Sequence, residues 1–175
     1  MKPIFLFPTD VEAHPFRQLC PEAEVVISGV GLAETSATLL RLVTERELCD
    51  EDCVVLCGIA GAYDRYLAKG SVVEVTEECC VELPERFQRR YHVDAQTQLC
   101  GVRSASVHRG GEYRSGYDIE NMEGAALFAL AEKIGVRCME IRSVSNYVGE
   151  EFASWSVEKA TEELAKTLKR IFDEY

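Results

Sequence analysis

Residues 122–149 read MEGAALFALAEKIGVRCMEIRSVSNYVG. Positions 125–131 are apolar on nearly every side, the pattern of a helix buried by its neighbours. Gly135 is placed to end that helix, because a glycine takes the left-handed conformation that closes a final turn. Residues 136–144 then predict a strand, with Met139 and Ile141 on one face and Cys138 on the other. The two form an αβ unit bracketed by polar groups, Glu123 at the helix start and Asn146 just past the strand. In open α/β sheets ligands bind beyond the carboxyl ends of strands, so Asn146 marks where chemistry is expected.

Other strands are predicted outward from this unit. Residues 3–7 form a short apolar strand followed by Thr9, Asp10 and Glu12, and Glu12 suits the first turn of a following helix. Residues 23–28 form a second strand ending in Gly29-Val30-Gly31. A dinucleotide fingerprint would need glycine at position 34, which is Glu34. A helix follows, with Ala33, Ala37, Leu40 and Val43 near one face. Residues 53–57 form a continuous apolar run typical of a sheet covered on both faces, with a glycine loop, 58–63, after it. Residues 71–76 and 99–107 predict further strands. Residues 82–98 read as a surface loop. The last helix starts near Ser156, with Val157, Ala160, Leu164, Leu168 and Ile171 as its inner stripe.

Composition narrows the function classes. The chain has 175 residues, 47% hydrophobic and 28% charged. That suits one soluble globular domain, 1–175, with a sizeable core. A net charge of −11 argues against nucleic acid or an anionic membrane as partner, since both need a basic face. No apolar run approaches the length of a membrane span, and the start of the chain is too short in apolar residues for a signal-peptide core; a cytoplasmic protein is expected. The eight cysteines are then free thiols. Cys49, Cys53 and Cys57 are four apart, but Cys53-Val-Val-Leu-Cys57 reads as strand, and Cys79-Cys80 has no CxxC and no nearby His pair, so neither metal nor cofactor is expected.

Met122-Glu123-Gly124-Ala125 followed by Ile141-Arg142-Ser143-Val144-Ser145-Asn146 resembles the signature of the purine nucleoside phosphorylase and nucleosidase superfamily. The Asn form followed by Tyr147-Val148-Gly149, with Thr9 to Pro15 and Gly58 to Tyr63, is most similar to futalosine hydrolase, a nucleosidase of menaquinone biosynthesis. The resemblance implies a three-layer αβα sandwich around a mixed, mainly parallel sheet, assembled as a homo-oligomer that binds a small purine nucleoside. It implies that Glu12 activates water and that Glu123, with Met122, holds the ribose. It also implies that Val30, in the Gly-x-Gly turn, touches the sugar or its 5′ substituent, and that Ala60 and Gly61 lie beside the base and the anomeric carbon. Relatives carry a hydroxyl residue where this chain has Ile59, and phosphorylases use it with arginines to hold phosphate. Its loss favours water as nucleophile.

Cleaving a purine N-glycosidic bond passes through an oxocarbenium-like sugar cation. Glu12 would deprotonate the water. The charge of Glu123 would favour the cation. Relatives that cleave adenine nucleosides place Asp at the position of Asn146. An amide cannot supply a proton, but it can donate to O6 and accept from a protonated N7, which matches a 6-oxopurine such as hypoxanthine. Futalosine also carries a benzoate, for which Arg65, Arg109 and Arg114 are the candidate partners. A base-stacking aromatic is sought among His108, Tyr113 and Tyr117. Tyr147, Phe152 and Trp155 suit either a core or a pocket. Three other readings stand beside this one: a purine nucleoside phosphorylase, a 5′-methylthioadenosine/S-adenosylhomocysteine nucleosidase-like enzyme, and a pared-down relative that binds nucleosides without turnover.

Overall fold

The computed structural model describes residues 2–46, 48 and 52–172. In chain order the elements are β1 (Lys2–Phe7), α1 (Asp10–Leu19), β2 (Val25–Ile27), α2 (Leu32–Arg46), β3 (Asp52–Ala62) and β4 (Val72–Cys80). They continue with β5 (Arg90–His92), β6 (Cys100–Ser106), β7 (Ile119–Asn121), α3 (Gly124–Ile134), β8 (Arg137–Tyr147) and α4 (Val157–Phe172). The strands form one eight-stranded sheet in the order β2-β1-β3-β7-β6-β4-β5, with β8 bonded to both β3 and β4. Pairing is parallel except for β3 with β7, β4 with β5 and β4 with β8. The central sheet is therefore mixed and mainly parallel, as expected. Because β8 bridges β3 and β4, strands β3, β8, β4, β6 and β7 close on themselves.

The sheet is covered on both faces, which gives three layers. Phe5, Phe7, Val55 and Ile141 pack with Phe16 of α1 and Leu164 and Leu168 of α4. Ile4, Leu6, Val54 and Leu56 pack on the other side with Leu39 of α2 and Leu127 and Phe128 of α3. Alternating side chains of the same strands feed both clusters, so β1 and β3 read as unbroken apolar runs. Met139 and Ile141 join one cluster and Cys138 the other, as their alternation requires. Gly135 closes α3 with φ 74° and returns its N–H to the carbonyl of Ala131.

Four expectations are corrected. Residues 58–62 are not a glycine loop: β3 runs through them, hydrogen-bonded to β8 with a register shift at Ala60/Gly61. Asn146 lies inside β8, which ends at Tyr147. The buried stripe of α2 is Thr35, Leu39 and Leu42, whereas Leu40 is exposed. Residues 82–98 include β5, paired with β4. The Glu74 carboxylate, buried in β4, accepts from the backbone N–H groups of Gln96 and Thr97 at 2.8 and 3.0 Å. That bond explains why an acidic residue interrupts the apolar alternation of this strand. Cys53 and Cys57 are buried core residues of β3 with free thiols. Cys49 lies outside the described residues.

The cleft follows from the strand pattern. β1 pairs with β3 only as far as Leu56, and β7 takes up the same edge at Gly61. Between them the edge of β3 is left open, and its backbone groups there need partners from elsewhere.

Candidate active site

Glu12 fills that opening. Thr9 caps α1, accepting from the Glu12 N–H at 3.2 Å, so Thr9-x-x-Glu12 has the spacing of a capping box. The carboxylate is turned away from the helix backbone. Its Oε1 accepts from the Ile59 N–H at 2.9 Å, the open edge of β3, and its Oε2 accepts from the Thr9 hydroxyl at 2.7 Å. Glu12 is 6% exposed. Burial raises its carboxyl above the ordinary range, while the bonds from Thr9 and Ile59 and the nearby charge of Arg142 pull it back. A carboxylate held on both oxygens, short of full solvation, is an oriented base.

Glu123 stands at the start of α3 without capping it. Asn121 does that work: its Oδ1 accepts from the N–H groups of Glu123 and Gly124, both at 2.7 Å. The Glu123 carboxylate is thereby free to face the cavity. Its Oε1 accepts from Gly31 N–H at 2.9 Å, and its Oε2 accepts from Arg142 at 3.2 Å. Gly29 and Gly31 have φ of 81° and 91°, so the Gly-Val-Gly turn can bring a backbone N–H to that carboxylate. Asn146, at the end of β8, accepts from the Ser145 hydroxyl at 2.7 Å and donates to the Tyr147 carbonyl at 3.3 Å.

Glu12, Glu123, Asn146, Met122, Val30, Ala60 and Gly61 all line one cavity of about 590 Å³. Residues from five separate segments of the chain therefore converge on one place. Phe152 and Trp155 join them with rings 5.1 Å apart, and Phe152 is 74% exposed, so it is a pocket residue and not core. His108, Tyr113 and Tyr117 do not line the cavity. Nor do Arg65, which sits over the Tyr147 ring, or Arg109 and Arg114. Among the described residues the lining contains no Lys, Arg or His.

Three residues of the site carried no assigned role in the sequence. Arg142, 1% exposed at its side chain, bonds Glu140 at 2.8 Å, Glu123, and Asn121 at 3.1 Å. Its signal was present: opposite charges at positions 140 and 142 share one face of a strand whose neighbours Met139 and Ile141 are apolar, the pattern of a buried pair. Asn121 and Glu120 lie on β7, a three-residue strand with too few positions to show a period. Glu120 lines the cavity, accepts from Gly111 N–H at 2.9 Å and accepts from the Tyr63 hydroxyl at 3.2 Å.

Comparison with known proteins agrees with this architecture. Residues 112–175, which hold Met122, Glu123 and Asn146, match the family model described as the phosphorylase superfamily. No curated protein is similar enough in sequence to match. Solved structures match along the whole chain. A futalosine hydrolase mutant of Helicobacter pylori strain 26695 superposes with a TM-score of 0.84 and 17% identity, covering 100% of both chains. A 5′-methylthioadenosine/S-adenosylhomocysteine nucleosidase mutant of the same species, with 5′-methylthioadenosine in the active site, gives 0.84 and 17% over 99% of each chain. The nucleosidase of Chlamydia trachomatis bound to the same nucleoside gives 0.80 and 17%, covering 100% of this chain and 99% of that one. The fold is thus the nucleoside phosphorylase-like fold of these proteins.

Proposed function

We propose that the chain is a nucleosidase that hydrolyses the N-glycosidic bond of a purine nucleoside, with a 6-oxopurine as the departing base. The observation that carries this reading is the convergence of Glu12, Glu123 and Asn146 on one cavity, with Glu12 oriented by Thr9 and Ile59. Glu12 takes a proton from water as the oxygen attacks C1′ of the sugar. Glu123 accepts from ribose hydroxyls, and its charge favours the oxocarbenium character that develops as the C1′–N9 bond breaks. The C1′–N9 bonding pair passes to the base, solvent water supplies the proton that N7 takes up, and Glu12 returns to solvent the proton it took; Asn146 meets the neutral N7-protonated base with one donor and one acceptor.

Water is favoured over phosphate because the cavity offers no cation to an anionic nucleophile among the described residues. Futalosine is the specific substrate that the sequence pattern suggests. Its benzoate would leave the sugar past Val11 and Val30, which are exposed at the cavity's edge. A 5′-methylthio nucleoside would suit the same apolar edge and is the second reading. The proposal includes a homo-oligomer acting in the cytoplasm.

The deciding experiment follows hypoxanthine release from futalosine, inosine and 5′-methylthioinosine, with and without phosphate. Phosphate-independent release that is lost in Glu12→Gln supports the hydrolase. Release only with phosphate would make the chain a phosphorylase. Nucleoside binding without release would make it a binding protein.

A further inference from the structure

The chain between β8 and α4 forms one wall of the cavity. Gly149, Glu150, Phe152 and Trp155 line it, and the two aromatic rings lie 5.1 Å apart. Backbone bonds hold this segment at its two ends. Val148 N–H donates to the Ala62 carbonyl at 2.9 Å, and Ser156 N–H donates to the Ser145 carbonyl at 2.8 Å. In between, the backbone bonds are local turns: Glu150 N–H to the Tyr147 carbonyl, Ser154 N–H to Glu151 and Trp155 N–H to Phe152. A stretch held by local turns opens at low cost, so a wall built from it needs a tie to the rest of the fold.

Lys69 supplies that tie from outside the cavity, in the connection between β3 and β4. Its ammonium lies 2.7 Å from Glu150 Oε2 and donates to the Ser154 carbonyl at 2.8 Å. One cation thus grips the segment on both sides of Phe152. The two charged side chains are only 20% and 25% exposed, so water competes with the pair less than it would on an open surface. The ammonium also stands 5.5 Å from the centroid of the Tyr147 ring, within reach of its π face.

Both ends of the tie are fixed. Beside Lys69, Gly70 N–H donates to the Val144 carbonyl at 2.7 Å, and Val144 N–H donates to the Ser71 carbonyl at 2.9 Å, so the lysine is carried on the sheet. On the other side, Glu150 Oε2 also accepts from Tyr147 N–H at 3.0 Å. The Glu150 carbonyl accepts from the indole Nε1 of Trp155 at 3.2 Å. The path from Lys69 through Glu150 therefore ends on a ring that lines the cavity.

We infer that Lys69 is a positioning residue, which holds residues 149–155 so that Phe152 and Trp155 present a fixed apolar wall to the nucleoside. Glu12 and Glu123 are held by bonds of their own, to Thr9 and Ile59 and to Gly31 and Arg142. The wall meets the nucleoside alike before and during bond cleavage. Its loss therefore falls on affinity and leaves the rate of the bound complex nearly unchanged. This inference rests on the purine-nucleoside reading of the cavity, but not on turnover.

Trp155 is the single tryptophan of the chain, so its fluorescence reports the wall directly. The test titrates the full chain with 5′-methylthioinosine, reading that emission, beside steady-state hydrolysis of the same nucleoside. Lys69→Met keeps the aliphatic stem and removes the charge and the donors. In the free chain it should leave Trp155 more open to acrylamide quenching. It should raise Kd and KM on the order of tenfold with kcat changed little, the pattern of lost uniform binding. Glu150→Gln breaks the same ion pair from the other side; it should weaken binding in the same direction, and it decides the matter if Lys69→Met folds poorly. Wild-type affinity in both variants, unchanged quenching of Trp155, a loss confined to kcat, or no binding of the nucleoside by wild type would overturn the inference. Weaker binding in the variants, without turnover by any of the proteins, would sustain it while removing the nucleosidase reading. Turnover with KM unchanged in both variants would do the reverse.

Discussion

The guanidinium of Arg142 lies 3.2 Å from the carboxylate of Glu123, and the two side chains are 1% and 4% exposed. The same guanidinium holds Glu140 at 2.8 Å and reaches the Ile59 carbonyl at 3.4 Å. One cation thus ties β8 to the start of α3 and to the open edge of β3, where Glu12 sits. The carboxylates of Glu123 and Glu12, both lining the cavity, share it as a counter-charge.

Removing that cation should cost stability before it costs chemistry. Arg142→Met would leave Glu123 and Glu140 buried without a positive partner, a change worth about 3–5 kcal/mol when one member of a buried pair is lost. Urea unfolding should show that loss. Arg142→Lys should fall between wild type and Met, since a single ammonium cannot reproduce the fork that serves Glu140, Glu123 and Asn121 together.

Glu12→Gln separates stability from activity. It should lower kcat by about 10²–10⁴-fold, the usual contribution of a positioned base, with KM changed little. The wild-type carboxyl is raised by burial, so the acid limb of kcat/KM should lie above the ordinary carboxylate range and fall as pH drops through it. The stability sign is the opposite. A carboxyl raised in the folded state contributes stability below its unfolded pKa and loses it as pH rises through the folded value. Glu12→Gln should therefore gain on wild type as pH rises, in thermal melts at pH 5 and pH 8.

How far the sequence could be read follows from the length of each signal. α3, Gly135 and the faces of β8 were legible because a helical or alternating pattern was sampled several times in each. That Glu12, Glu123 and Asn146 share one cavity was legible through a family pattern, each beside a strand end. The continuation of β3 through Gly58-Ile59-Ala60-Gly61 was not, because glycine argues locally for a turn. In this fold those glycines serve close approach: a Cβ on Gly58 would stand 2.9 Å from Glu12 Oε1, and one on Gly61 would stand 3.1 Å from Asn146 Nδ2. β7 is three residues long and pairs with strands distant in the chain, so nothing local could reveal that Glu120 and Asn121 enter the site.

Gly58→Ala tests that close approach. The added methyl would meet Arg142 Nη1 at 2.6 Å as well as Glu12 Oε1. Both atoms are pinned by other bonds, so the carboxylate must move to admit it. Turnover should drop at least tenfold, since misplacing a catalytic group by about an ångström costs on the order of a hundredfold. Binding of free hypoxanthine, at the far end of the cavity, should change much less. A variant with wild-type kcat would show that the position of Glu12 is not critical.

Two carboxyl groups meet beneath the site. Glu78 and Glu140 are both fully buried, and a Cβ on Gly124 would collide with the Oε2 atoms of both. Two carboxylates that crowd one glycine cannot both ionise cheaply. Glu140 is paired with Arg142, whereas the donors to Glu78 are neutral: Asn121 Nδ2 at 2.7 Å, the Cys79 N–H at 2.9 Å and the Ser104 hydroxyl. Burial and then the charge of Glu140 push the Glu78 carboxyl up to about 8. Glu78 therefore keeps its proton at neutral pH, and Glu140 Oε2, which has no hydrogen-bond partner among the described residues, is the acceptor at hand. Because the folded pKa is raised, the folded state binds the extra proton between about 4.5 and about 8, and stability declines with rising pH across that window. Glu78→Gln, which mimics the protonated form, should flatten this decline, so that the variant gains on wild type between pH 6 and pH 9 in thermal melts. Parallel curves for the two proteins would mean that Glu78 does not titrate there, and that the charge of Glu140 is balanced by Arg142 alone.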